Sequence, residues 1–168
     1  MGVSIRAIRP KEYVCDFNTE LTEEQEWDDA VRCIYTLDFS PIKHLTQFKE
    51  GWWKCDCGMS AAYLDMPYST YNSFRKAVCA PIHGDWEEYT EKMECGLEPC
   101  YGAFAEFLYF ADNEGCFDYV IAEKLLKDFT DYSDKIVPTL NKFQTYYYET
   151  YTQILKECVR CKGVVFYS

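Results

Sequence analysis

Ten cysteines in 168 residues are the largest reserve of reactive side chains in this sequence. Cys55-Asp56-Cys57 is a C-x-C pair and Cys158-Val159-Arg160-Cys161 a C-x-x-C pair. Cys55, Cys57, Cys158 and Cys161 together match the four thiolates of a tetrahedral structural zinc. The spacing suits a zinc knuckle at one end only, because Cys158 falls on the last turn of an expected helix; Cys95 and Cys100 form an alternative pair. Against the metal stands a simpler reading, a set of buried thiols, since cysteine is among the most buried residue types. The expectation is therefore no metal and no cofactor, with zinc at those four cysteines as the alternative.

Nucleophilic catalysis has less to draw on. His44 and His83 are the only histidines, and Cys79 or Ser69 is the formal partner of His83. No nucleophile elbow or glycine-flanked serine accompanies them. Asp112, Glu114 and Asp118 are close enough in sequence to converge for acid–base work or for a divalent cation. The run Asp112-Asn113-Glu114-Gly115 lacks the alternating ligands and terminal glutamate of an EF-hand loop. The protein is read as a binder rather than an enzyme, with a small metal-dependent hydrolase at these carboxylates as one alternative.

Charge limits the partners. The net charge is −11 and arginine occurs only at positions 6, 9, 32, 75 and 160. Phosphate backbones are held by clustered Lys and Arg, so long nucleic acids and anionic membranes are poor candidates as partners. A small anion needs only one or two basic side chains and some N–H groups. Aromatic residues make up 18% of the chain, enough for a large core and for stacking platforms besides. Tyr146, Tyr147 and Tyr148 are consecutive, and on a helix they point about 100° apart, which suits a helix wrapped by neighbours on several sides, with one ring lining a groove as the alternative. The opening MGVSIRAIRPKEYVCDF has no apolar signal-peptide core, and no run approaches the roughly 20 apolar residues of a bilayer span. A cytoplasmic setting with reduced cysteines is expected.

The elements that must hold these groups are readable in outline. Gly2 to Ile8 alternates as a short strand stopped by Pro10. Thr22 and Gln25 form a capping box for a helix that carries Trp27, Ala30, Val31 and Ile34 on one face. Pro67 and Ser69 open a helix with Tyr71, Phe74, Ala77 and Val78 inward, and Trp86 to Met93 forms a shorter one. Phe104 to Ala111 fits a helix or a strand. Asp118 caps a helix through Ile121, Ala122, Leu125, Leu126 and Phe129. The longest helix is expected over 134–158, with Pro138 near its start, and GVVFYS is a closing strand introduced by Gly163. The sum is one α+β domain over 1–168, mostly helical, with a small sheet pairing the N- and C-terminal strands.

Three segments and the C-terminus resemble an uncharacterised family of small phage and bacterial proteins. They are Tyr68-Ser69-Thr70-Tyr71 with Phe74-Arg75, then Ala103 to Phe107 with Phe110 to Gly115, then Ala122 to Phe129, closed by Gly163 to Phe166. The family patterns are FSYS…FR, FSDxEG and KLxxDF, with a GGVVxFH-like end. Here Ala111 replaces the serine, Asn113 the cysteine and Tyr167 the final histidine. The resemblance implies a phage or prophage setting, in which some small proteins of this size sequester nucleotide signals of bacterial immunity. On that footing the leading expectation is a non-enzymatic binder of a small anionic or nucleotide-like ligand. Arg75 and Ser69 engage phosphate, Tyr71, Trp52 or Trp53 stack, and Asp112 and Glu114 accept hydrogen bonds from ribose or a base edge. The alternative is an acidic inhibitor that masks a basic surface of a host protein, marked by an exposed acidic face with an aromatic centre. Homo-oligomer formation is left open.

Overall fold

A run of four apolar residues at the C-terminus, Val-Val-Phe-Tyr, forms a strand over Val164–Tyr167 (β6). All four are buried, because the strand has neighbours on both edges and packed side chains on both faces. One edge pairs antiparallel with the first strand, Gly2–Cys15 (β1), through Ile5 to Ile8. The other pairs antiparallel with Gly115–Asp118 (β5). The terminal strands are thus hydrogen-bonded neighbours in an α+β fold, as the sequence predicts. The computed structural model describes residues 2–36, 44–58, 60–94, 102–109 and 115–168.

The sheet is larger than the terminal pair. Its path is β2-β3-β1-β6-β5, with β4 also on β1; β2 is Val31–Ile34, β3 Gly51–Asp56 and β4 Tyr63–Pro67. Pro10 does not stop β1. The strand pairs with β4 through Gly2 to Arg6, then with β3 through Arg9 to Cys15, and the second register shifts between Pro10 and Glu12. Proline lacks the N–H of a regular ladder but is accommodated at such an irregularity.

The expected helix after Thr22 is corrected to a single turn. The capping box forms, with Thr22 accepting from the Gln25 N–H and Gln25 accepting from the Thr22 N–H, but the helix covers only Glu23–Glu26 (α1). Trp27 is 81% exposed instead of lying on a buried face. Asp28 accepts from the Ala30 N–H and turns the chain into β2, where Val31 and Ile34 pair with Lys54 and Gly51.

The remaining helices follow the sequence more closely. They are Tyr68–His83 (α2), Trp86–Glu94 (α3), Ala105–Leu108 (α4), Tyr119–Asp131 (α5), Ser133–Ile136 (α6) and Lys142–Cys161 (α7). The long helix expected from 134 starts later, because Pro138 sits in a 3-10 turn and Leu140 is extended. Asn141 then caps α7 in a second capping box with Gln144. No helix among the described residues is long and apolar enough to cross a membrane.

Alternation along the strands sorts side chains into two cores. Val3, Ile5, Ala7, Phe117, Val165 and Tyr167 face the helices. Ile8, Cys116, Val164 and Phe166 join Ile34, Leu45 and Cys55 in a smaller cluster on the opposite face. Gly163 sits where α7 turns into β6. A Cβ there would press into the Ile8 carbonyl oxygen and come within 2.8 Å of the Cys161 sulfur.

Candidate functional site

α2 and α7 place their N-terminal turns on either side of an open groove of about 420 Å³. α2 contributes Ser69, Thr70 and Ser73; α7 contributes Phe143, Gln144 and Tyr147, with its cap Asn141. The two helices start differently. Pro67 stands at the N-cap of α2 and offers no side-chain acceptor to the first N–H groups, whereas Asn141 at the N-cap of α7 accepts from the Gln144 N–H. Both ends carry the positive pole of a helix dipole. Lys142, the first residue of α7, is exposed and has no ion pair among the described residues.

The hydroxyls in this groove are unspent. Elsewhere in the chain Thr90, Thr130, Thr145 and Thr152 each donate to the carbonyl four residues back. Ser69 and Thr70 stand in the first turn of α2, where no helical carbonyl lies four residues behind them. The structure shows no hydrogen bond from Ser69, Thr70 or Ser73 to protein among the described residues, so all three remain available to a ligand. The aromatic side of the groove comes from α7. Phe143 is 72% exposed, and Tyr147 packs against Phe74 with ring centroids 6.0 Å apart. The three consecutive tyrosines divide as their helical spacing requires. Tyr146 is exposed, Tyr147 lines the groove, and buried Tyr148 donates to the Phe129 carbonyl at 2.5 Å.

Of the described residues expected to bind ligand, Ser69 alone lies in this groove. Tyr71 is fully buried, with its ring edge on Phe107 and Tyr167. Arg75 is 9% exposed and turned inward on α2. Its guanidinium donates to the Leu108 carbonyl and, at 3.2 Å, to Asn72 Oδ1, and it lies 5.2 Å from the Trp86 ring. Its Nε has no hydrogen-bond partner among the described residues. Trp52 lines a second groove beside Phe17 and Leu21. Trp53 packs on Tyr13 and Phe48 and donates to the Lys49 carbonyl. Asp112 and Glu114 lie outside the described residues, as do Cys95 and Cys100.

Among the described residues, the side chains named for other chemistries are engaged in hydrogen bonds or packing. Asp118 caps α5 through the Val120 and Ile121 N–H groups and also accepts from Thr46 and Gln47, which commits both carboxylate oxygens. Ser69 and His83 stand at opposite ends of α2, about 21 Å apart at 1.5 Å per residue. His83 instead bonds the Ala103 carbonyl at 2.8 Å and stacks on Tyr89. Cys55 belongs to the smaller cluster and Cys158 to the main core. Burial pushes the Cys55 thiol up to about 12 and that of Cys158 well above its ordinary value. Among the described residues no three His, Cys, Asp or Glu side chains converge as metal ligands.

Thr70, Ser73, Asn141, Phe143, Gln144 and Tyr147 were not singled out together by the sequence. Two signals bear on them: the N-x-x-Q capping box at Asn141, which fixes the start of α7, and the i, i+4 spacing of Ser69 and Ser73 on the polar face of α2. No protein-family model matches the chain, and neither does any curated protein or solved structure.

Proposed function

We propose that the protein is a non-enzymatic binder of a small anionic, nucleotide-like ligand, held in the groove between α2 and α7. One observation carries this reading. Two helix N-termini and three uncommitted hydroxyls share a groove of about 420 Å³ with Phe143 and Tyr147. Phosphate oxygens suit the hydroxyl side, where helix N–H groups and the dipoles favour negative charge. A base or another flat group suits the aromatic side. The volume falls within the roughly 300–1,000 Å³ typical of small-molecule sites. The groove lining includes no carboxylate, imidazole or thiol among the described residues, which favours retention over turnover. In the phage setting that the sequence resemblance implies, such a protein withdraws a host nucleotide signal.

Thermal unfolding of the full chain with inorganic phosphate, nucleoside mono- and diphosphates and cyclic dinucleotides tests the assignment. At least one nucleotide is expected to raise the melting temperature of the wild-type protein, and Ser73→Glu, which places a carboxylate in the groove, is expected to abolish that rise. An equal rise in the variant would move the ligand elsewhere, and no rise with any phosphate compound would remove the reading.

A further inference from the structure

The stretch around α1 has a different character from the α2–α7 groove. Trp27, which ends α1, is 81% exposed, and Phe17 is 52% exposed. Phe17, Leu21, Val31 and Trp52 line a groove of about 430 Å³, with Glu20 and Glu26 also in its lining. Large apolar side chains standing this far into water, beside a groove with four apolar residues in its wall, suit a surface that a partner covers.

Charge identifies the cover. From Glu12 to Val31 the sequence contains no Lys or Arg. Glu20, Glu23, Glu24, Glu26 and Asp29 have no ion pair among the described residues. The nearby lysines are engaged with other carboxylates: Lys49 with Asp16, and Lys54 with Asp28 at 4.0 Å. Arg32, the next cation along the chain, donates to the Val31 carbonyl. The stretch therefore carries exposed aromatic side chains among five carboxylates without ion pairs among the described residues, set against one cation, Arg32.

We propose that the surface around α1 docks a cationic segment of another protein, with an apolar side chain seated between Phe17 and Trp52 and flanking Lys or Arg opposite the α1 carboxylates. A small organic cation satisfies the carboxylates but leaves Trp27 in water, since Trp27 stands outside the lining of the groove. A polypeptide covers both. Buried aromatic anchors supply most of the affinity in such contacts, and the charges steer the encounter.

Selection of a random dodecapeptide display library on the full-length protein tests this surface whatever the identity of the natural partner. Enriched peptides are expected to carry two or more Lys or Arg around an apolar residue. Their binding is expected to weaken at least tenfold between 0.05 and 0.5 M salt. Trp27→Ser, and separately Glu23→Gln combined with Glu24→Gln, are each expected to weaken it at least fivefold. All three side chains stand on a single exposed turn, and an unchanged urea midpoint in each variant confirms that folding is intact. Three results overturn the proposal: no enrichment of basic peptides, equal binding by the variants, or complete displacement by millimolar spermidine, which would make this a small-cation site. Ligand binding at the α2–α7 groove is untouched by these variants, so the two sites fail independently.

Discussion

Asp118 and Thr46 are 72 positions apart in sequence and share a buried carboxylate: Asp118 Oδ2 accepts from the Thr46 hydroxyl at 2.8 Å and from the Thr46 N–H. The same oxygen accepts from the Gln47 N–H at 2.7 Å, while Oδ1 caps α5. One side chain thereby fixes the start of a helix, the end of β5 and the segment that covers the smaller core.

Removing it is expected to be costly. Asp118→Ala deletes the cap and leaves buried N–H donors without an acceptor, a loss of about 2–4 kcal/mol. Asp118→Asn keeps the size but turns an NH₂ group or a weaker acceptor toward the Thr46 and Gln47 donors, and a loss of about 1–3 kcal/mol is expected. Urea denaturation at pH 7 reads both. A change below about 0.5 kcal/mol in Asp118→Ala would contradict this role.

Gly163→Ala tests the close approach between the end of α7 and β1. The added methyl meets the Ile8 carbonyl, which belongs to paired backbone and cannot swing aside like a flexible side chain. A loss of roughly 2–4 kcal/mol in urea denaturation is expected, far more than the few tenths typical of a surface substitution. An unchanged midpoint would show that the turn yields to a methyl group without cost.

The fold should weaken in alkali. Burial pushes the phenols of Tyr151 and Tyr167 and the thiols of Cys116 and Cys158 above their ordinary values. In the unfolded chain these groups ionise from about pH 9 for thiols and 10 for phenols; in the fold they stay neutral. A raised folded value gives stability that is complete below the unfolded pKa and is lost as pH rises toward the folded one. Each such group steepens the loss by up to about 1.4 kcal/mol per pH unit. Urea midpoints are expected to hold steady from pH 6 to 8 and fall sharply between pH 9 and 11. A flat profile over that range would mean that these groups are not buried as described.

Local signals in the sequence identified where helices begin better than where they end. The Thr22–Gln25 box formed as read, yet a cap does not set helix length, and Val31 and Ile34, three apart, suit either a helical face or the ends of a four-residue strand. Pairing with β3 decided between them, and that partner lies some 20 residues on. The Asp118 cap was plain, whereas the strand just before it, Gly-Cys-Phe-Asp, is too short to show a period. Arg75 is one of five arginines, and its position beside Phe74 and four residues after Tyr71 puts it within the apolar stripe of α2. That spacing was the readable sign of a buried structural arginine. The groove itself was out of reach of local reading, because it exists only once α2 and α7, about 70 residues apart, lie side by side.

The α2–α7 groove is tested most directly by mass spectrometry of small molecules released on denaturing the full-length protein. Wild type and Ser73→Glu are purified in parallel from a bacterial host with active nucleotide signalling. The expected result is an intact phosphate-bearing nucleotide, near one equivalent, from the wild type and none from the variant. Release of nothing from either protein, of equal amounts from both, or of a chemically altered nucleotide from the wild type would contradict a non-enzymatic binding groove at Ser69, Ser73 and Tyr147.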